Sequence, residues 1–593
     1  MRLYAAAAHH WPSLAAGLIG AFYCWSALPG VHWHDTGEFL AAGRTLSLSH
    51  PPGHPLALQL IHLCQLIPLG DLALRGNWMS ALCAALAALA LGRTLRLLPL
   101  PKAPPLAAAL FLCWLFVLPP VWLQGCRVEV YMLQAMLGAV ALALLCRAQQ
   151  SDDLRLFPLL GLSLGLMGAN HTLLAAAWLP PVTLWLLLRR PPLRALIAVA
   201  GGGLFGLSLY LFLPLRGAST SPFGWGEIQN LEQLWDFISA KIWRDSVTAR
   251  METLSWAENG ARLLRWAFDR FGPWASALAL TLSLTTPLTY LRRWRGGERD
   301  PLRDELSLVL LCVGLCLCTL ATKFSYPFNA DNPDFEGYLC AALAPAGVLL
   351  WTGLSALRLE LRGGRASWPL GSWLSLPLFL LALPRYDPGH RQGARSADMI
   401  ARELLLEVPP GGALSTAHYA HYFAALSLQA LEGLRPDVAL PFQGFRGRPW
   451  AARRLAGLEP RWKSWLLEAE PSYPVGLYFD LPPRRRAQRG APPLCAAGIS
   501  LTPCGSEAHA SSGSATLSRA RFASIAASVR DLDGRHQLAY LHAHWALWAT
   551  ERGAEALRRF HLDEAERLLK SPLDLAALAR ALKWRAPTER DRD

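Results

Sequence analysis

Charge is scarce in this chain: only 17% of its 593 residues are Asp, Glu, Lys or Arg, against 53% hydrophobic. That scarcity excludes a soluble multidomain protein of ordinary composition. Blocks of basic residues interleaved with base-stacking aromatics are also missing, which sets nucleic-acid binding aside despite a net charge of +14. Cysteines with His or acidic partners are lacking too. Cys312, Cys316 and Cys318 lie in an apolar run that reads as a packed helix face, not a metal cluster. The first apolar segment has no small-residue cleavage site, so it reads as an uncleaved anchor. Polar residues at mid-membrane and repeated halves, the marks of a transporter, are few.

What the chain does have is a series of apolar stretches long enough to cross a hydrocarbon core of about 30 Å. They fall near 11–30, 73–98, 104–121, 128–147, 154–169, 171–189, 193–214, 268–291, 305–322, 338–357 and 367–384. The expected fold is a polytopic α-helical membrane protein of about eleven transmembrane helices over residues 1–384. Segment 55–69 is too short to cross and reads as a re-entrant or surface helix. Beyond it, residues 385–480 read as a small α/β unit, with GALSTA, DVALPF and VGLYFD as strands around the helical YFAALSLQALEGL. Residues 481–517, rich in Gly, Pro and Ser with Arg484 to Arg486, read as a linker or mobile loop. Residues 518–593 read as amphipathic helices.

Arginine-rich links after the second, sixth, eighth and tenth spans fall on one side, which the positive-inside rule makes cytoplasmic. The His32 to Pro55 loop, the connection 215–267, the loop 323–337 and everything after 385 then face the opposite side. Cys495 and Cys504 lie in that extracytoplasmic part, where a disulfide between them is plausible.

Acids, bases and aromatics converge on this outer face, where ionisable groups near lipid need a reason. In DTGEFLAAGRTL, read as a surface helix, Asp35 and Glu38 share a face while Phe39, Leu40 and Leu46 point to lipid. Asp35 is equally placed to be only the N-cap of that helix. The H-x-H-D array of His32, His34 and Asp35, with His50 and His54 further on, suits a divalent metal or simply a wet interfacial loop. No cofactor is firmly implied, and no metal ligand is assigned. The outer loops add Arg127, Glu129, Tyr131, the pair Asn170 and His171, Arg216, Trp225, Glu227, Lys323, Asp331, Asp334 and Tyr338. Arg127 and Arg216 also fit ordinary snorkelling ends, and Trp225 an interfacial anchor.

The combination D-x-G-E-F, then H-P-P-G-H-P, then R-x-N with a serine behind resembles a family of GT-C-fold membrane proteins. That uncharacterised-domain family includes a eukaryotic transmembrane O-mannosyltransferase acting on IPT domains. The matching residues are Asp35, Gly37, Glu38, Phe39, His50, Pro51, Pro52, Gly53, Pro55, Arg75, Asn77 and Ser80, with Glu129 to Tyr131, Leu213 to Arg216, Trp225 and Gly226 in support. GLRPDVAL in the tail is also similar. The resemblance implies a membrane glycosyltransferase that takes a sugar, mannose being the one suggested, from a polyprenyl-phosphate donor. The acceptor would be a hydroxyl of a protein or glycan at the non-cytoplasmic face. It implies an essential acid in the first outer loop, where Asp35 stands.

On this reading Asp35 is the catalytic base and Glu38 orients the acceptor, tunes Asp35 or replaces it. Arg216, Arg127, Lys323 and His50 are the candidate ligands of the donor phosphate. His54, Asn77, Glu129, Tyr131, His171 and Trp225 are expected to bind substrate or support the site. The alternatives are a lipid-linked saccharide transporter or flippase, and a non-catalytic membrane scaffold. The Ala-, Leu- and Arg-rich composition suggests a bacterial inner-membrane protein with a periplasmic C-terminal region.

Overall fold

The computed structural model describes residues 2–98, 104–151, 153–217, 221, 223–244, 255–295, 299–324, 333–356, 359–360, 367–368, 370–382, 395–455, 457–468, 477–480, 494–497, 500–503, 520–526, 532–551 and 555–569. Among them, six helices are long and apolar enough to cross a membrane: Leu72–Leu97, Val130–Gln150, Thr172–Arg189, Leu193–Gly217, Glu305–Lys323 and Asp334–Ala356. A seventh is gained if Pro105–Val117 and Pro119–Cys126, bent by 71°, count as one span. The bend has a local cause, because a proline at 119 disfavours the helical region for Leu118, which sits at φ −59° and ψ 131°.

The expected eleven crossings are therefore not reached among the described residues. The stretch read over 154–169 is a helix of only 15 residues, Leu156–Asn170, and the one over 367–384 is divided into Leu370–Trp373 and Ser375–Ala382. Helices Arg2–Ser26 and Pro273–Arg295 are long enough but fall outside the apolar set.

The first third of the chain builds the scaffold of the site from α1 (Arg2–Ser26), α2 (Thr36–Thr45), α3 (Pro55–Gln65), α4 (Leu72–Leu97), α5 (Pro105–Val117), α6 (Pro119–Cys126), α7 (Val130–Gln150), α8 (Leu156–Asn170), α9 (Thr172–Arg189) and α10 (Leu193–Leu207). Helix α4 packs between α1 and α7, and α7 packs on α8. Helices α8 and α10 meet through small residues, as bilayer helices do. A Cβ at Gly161 would stand 1.9 Å from the Val199 carbonyl oxygen, and one at Gly165 2.2 Å from that of Gly203. Only glycine permits this approach.

Helix α2 departs from its expected setting. It is not a lipid-facing surface helix: Phe39 is 1% exposed and Leu40 is fully buried. It lies between α3 and the helix Tyr419–Glu432 of the C-terminal region, here the tail helix. Helix α3 is short; it buries Leu58 and Ile61 on the protein side while Leu63, beside Leu66, faces outward.

The C-terminal region holds a four-stranded sheet. Strands β1 (Ala413–Ser415) and β2 (Leu477–Phe479) run parallel, and the hairpin of β3 (Leu494–Ala497) and β4 (Ser500–Pro503) extends the sheet in the order β1-β2-β4-β3. That hairpin falls inside the stretch read as linker. DVALPF supplies only a single bridge, from Ala439 to Ala413. Helices Leu532–Glu551 and Glu555–Leu568 pack on each other. Cys504, the Cys495 side chain, Arg484 to Arg486 and Asp331 lie outside the described residues.

Candidate active site

The loop after α1 is held by α4, which also holds the turn that leads into α7. Asn77 donates to the carbonyls of Leu28 and Gly30 at 2.7 and 3.1 Å, and its Oδ1 accepts from Val128 N at 2.8 Å. Ser80 accepts from Glu129 N at 3.3 Å. These bonds bring the start of α2 against the 127–129 turn. Asp35 takes the N-cap position, yet its side chain makes no capping bond. Its half-buried carboxylate is therefore not spent on the helix.

Glu38, one turn on and fully buried, accepts from both the backbone N and Nδ1 of His50, the latter at 2.8 Å. Burial raises the Asp35 carboxyl to about 7, with Asp334 and Glu38 adding to the rise and His50 and Arg127 opposing it. Burial works against charge on His50, but Glu38, Asp35 and Asp334 together outweigh it and raise that imidazole to about 9.

Arg127 is buried beneath the acids. Its Nη2 stands 2.5 Å from Asp334 Oδ1 and its Nη1 3.7 Å from Glu129 Oε1. Burial and the neighbouring Asp334 push the Glu129 carboxyl well above the usual range, against the pull of Arg127. Arg216 is also engaged: it donates to the carbonyls of Leu46 and Thr45 at 2.5 and 3.0 Å, where α2 ends with Leu46 in the left-handed region. A cation there satisfies orphan carbonyls and complements the helix dipole. Of the four expected phosphate ligands, His50 and Lys323 flank a row of rings instead.

That row runs from His50 to His54 (5.1 Å between ring centroids), to His171 (5.6 Å) and to Tyr338 (5.1 Å), and Lys323 Nζ stands 3.3 Å from the Tyr338 ring centre. His54 donates through Nδ1 to the Asn170 carbonyl at 2.6 Å, leaving Nε2 without a partner. Burial, then the nearby His50 and His171, hold it well below its ordinary value, hence neutral. Tyr131 packs on Tyr338 at 5.3 Å. On the other side of His50, Trp225 and Trp243 lie at 6.1 and 6.2 Å, and Trp243 donates to the Pro51 carbonyl. Glu227 is tied to Arg453 of the C-terminal region.

The histidines of the H-x-H-D array are not gathered with Asp35. His32 is buried elsewhere, and His34 Nδ1 stands 2.6 Å from the Tyr419 hydroxyl. Among the described residues, the three groups close enough to share an ion are Asp35, Glu38 and His50, whose candidate atoms lie within 4.8 Å of one another. Of the three, Glu38 and His50 are ion-paired at 2.8 Å. Asp334, named from sequence among the outer-loop residues, has no role assigned there, and Tyr419 is not singled out at all. Asp334 is 207 residues from Arg127 and Tyr419 is 385 from His34, and no local pattern marks either.

Residues 35–194 match the sequence profile described as the protein O-mannosyl-transferase TMEM260 N-terminal domain. A mouse protein described as protein O-mannosyl-transferase TMEM260 is 27% identical over 475 residues, which cover 72% of this chain and 62% of that protein. The match thus spans less than two thirds of its relative's length. The crystal structure of ArnT from Cupriavidus metallidurans bound to undecaprenyl phosphate is similar with a TM-score of 0.50 at 14% identity, covering 82% of this chain and 96% of that one. An oligosaccharyltransferase of Archaeoglobus fulgidus, in complex with Zn and sulfate, has a TM-score of 0.42 at 12% identity over 72% and 62% of the two chains. Residues 35–194 are therefore similar to the TMEM260 N-terminal domain, within a chain whose fold is similar to that of the ArnT structure.

Proposed function

We propose that the protein is an inverting membrane glycosyltransferase that moves a sugar, mannose by its family likeness, from a polyprenyl phosphate to a hydroxyl of a protein or glycan. The observation that carries this reading is Asp35. Its carboxylate is half-buried and uncapped at the start of a buried helix, poised near neutral pH within a family-matched segment. A base is most effective when its pKa lies near the working pH. The similar ArnT structure was solved with undecaprenyl phosphate, in keeping with a lipid-linked donor.

In the proposed reaction the acceptor oxygen attacks the anomeric carbon from the face opposite the phosphate. The bond from that carbon to the phosphate oxygen breaks, and Asp35 takes the hydroxyl proton. The lipid phosphate leaves with one more negative charge than it had as a diester. His50, cationic at neutral pH, is the charge placed to meet it, and His54 Nε2, His171 and the Lys323 amine lie along the same row of rings. Glu38 keeps His50 charged and in place, acting through it. The reaction is assigned to the non-cytoplasmic face, and a bacterial inner membrane with a periplasmic C-terminal region is the setting we favour.

Purified protein incubated with a panel of labelled polyprenyl-phosphate sugars and acceptor polypeptide tests the assignment. Transfer of one sugar with release of polyprenyl phosphate is expected. Translocation of intact donor across proteoliposomes without cleavage would indicate a flippase, and neither event a scaffold.

A further inference from the structure

The C-terminal region reaches the carboxylates directly. Its tail helix lies so close to α2 that a Cβ at Gly37 would stand 2.5 Å from the Phe423 carbonyl oxygen. Three residues that lead into Asp35 are held by the same region. Val31 N donates to Asp398 Oδ1 at 3.1 Å, Trp33 Nε1 to Ser396 Oγ at 2.9 Å, and His34 Nδ1 pairs with the Tyr419 hydroxyl at 2.6 Å. His34 has φ 65°, in the left-handed region that side chains other than Gly and Asn rarely enter. Such a conformation persists only where the surroundings enforce it. The next residue is Asp35, so the conformation of His34 fixes the direction in which that carboxylate leaves the backbone.

Tyr419 is nearly buried and lies within electrostatic reach of Asp35, Asp334, Arg127 and Glu129. Burial first, then Asp35 and Asp334, push its phenol well above its ordinary value, so it keeps its proton, and its hydroxyl shares a hydrogen bond with His34 Nδ1. Packing alone does not account for a hydroxyl here. The ring already meets Phe423 at 6.1 Å and stacks on His418 at 5.2 Å, contacts that a phenylalanine would keep.

We propose that Tyr419 is a positioning residue for sugar transfer: through His34 it sets the orientation of Asp35, and so makes the C-terminal α/β unit a working part of the active site. The inference rests on the reading of Asp35 as the base. A misplaced reacting group costs up to about 100-fold in rate even when substrate still binds.

The test uses the full-length protein with the labelled donor, comparing Tyr419→Phe, His34→Gly and the double variant. Glycine adopts φ above zero without strain, so His34→Gly removes the tether and leaves the backbone conformation accessible. Each single variant is expected to lower kcat by about 10- to 100-fold with both KM values within about twofold of wild type. The double variant should be no worse than the poorer single, because both remove one tether. The melting temperature of Tyr419→Phe should fall by no more than the loss of one hydrogen bond allows. Unchanged kcat in Tyr419→Phe, multiplying losses in the double variant, or a loss confined to KM would overturn the proposal. A wild-type protein that never consumes donor would instead overturn the transferase reading, and this inference with it.

Discussion

Asp35 and Glu38 are separated by one turn of helix, yet their surroundings assign them different work. Glu38 is sealed and has both oxygens committed to His50, whereas Asp35 is half-buried with no capping bond. The carboxyl of Asp35 lies at about 7 and the imidazole of His50 at about 9. In the proposed reaction Asp35 must be ionised and His50 charged, so kcat/KM is expected to rise with pH through about 7 and fall above about 9. Glu38→Gln removes the strongest support for the charged imidazole, so the alkaline limb should move to lower pH. A pH profile in which that limb stays put would show that His50 is not the group titrating. At this scale the sequence was informative about neighbours and silent about partners. Asp35, Glu38 and His50 lie within 16 residues of chain and share a site. Arg127 and Arg216 looked like phosphate ligands because their commitments, to Asp334 and to the end of α2, depend on tertiary folding.

Helix α2 is the element on which the site turns. Its composition reads as amphipathic, but both of its faces are covered, one by α3 and one by the tail helix. No periodicity within ten residues reveals that a segment almost 400 residues downstream supplies the second cover. Gly37→Ala tests the fit. Alanine gains roughly 1 kcal/mol over glycine in a helix interior, but its Cβ would meet the backbone of Phe423 at 2.5 Å, where no flexible side chain can yield. Overpacking of that kind costs about 1 to 3 kcal/mol, so the clash should decide the sign. A lower melting temperature is expected, and an unchanged or higher one would mean the two helices do not touch in the working protein. Arg216→Ala removes two bonds to the last carbonyls of α2. Net losses of about 1 to 3 kcal/mol per charged hydrogen bond predict a measurable drop in thermal stability.

For the whole molecule, the apolar spans and the polar C-terminal region were legible from composition, since spanning a bilayer demands long apolar helices. Their number was not, because helices packed inside a bundle and helices crossing lipid share the same residues. Helix α8, of 15 residues, shows the ambiguity. Topology is open to direct test in a variant with Cys495 and Cys504 changed to Ser. The exposed positions Gln229 and Arg292, each replaced in turn by Cys, should differ: a membrane-impermeant maleimide added from the non-cytoplasmic side should label only the first. Labelling of both, or only of the second, would overturn the arrangement. The proposed sugar transfer depends on one carboxylate, and Asp35→Asn measures its contribution most directly. With wild-type melting behaviour and labelled polyprenyl-phosphate mannose, transfer should fall by about 10² to 10⁴-fold, whereas full transfer activity in Asp35→Asn would contradict the account.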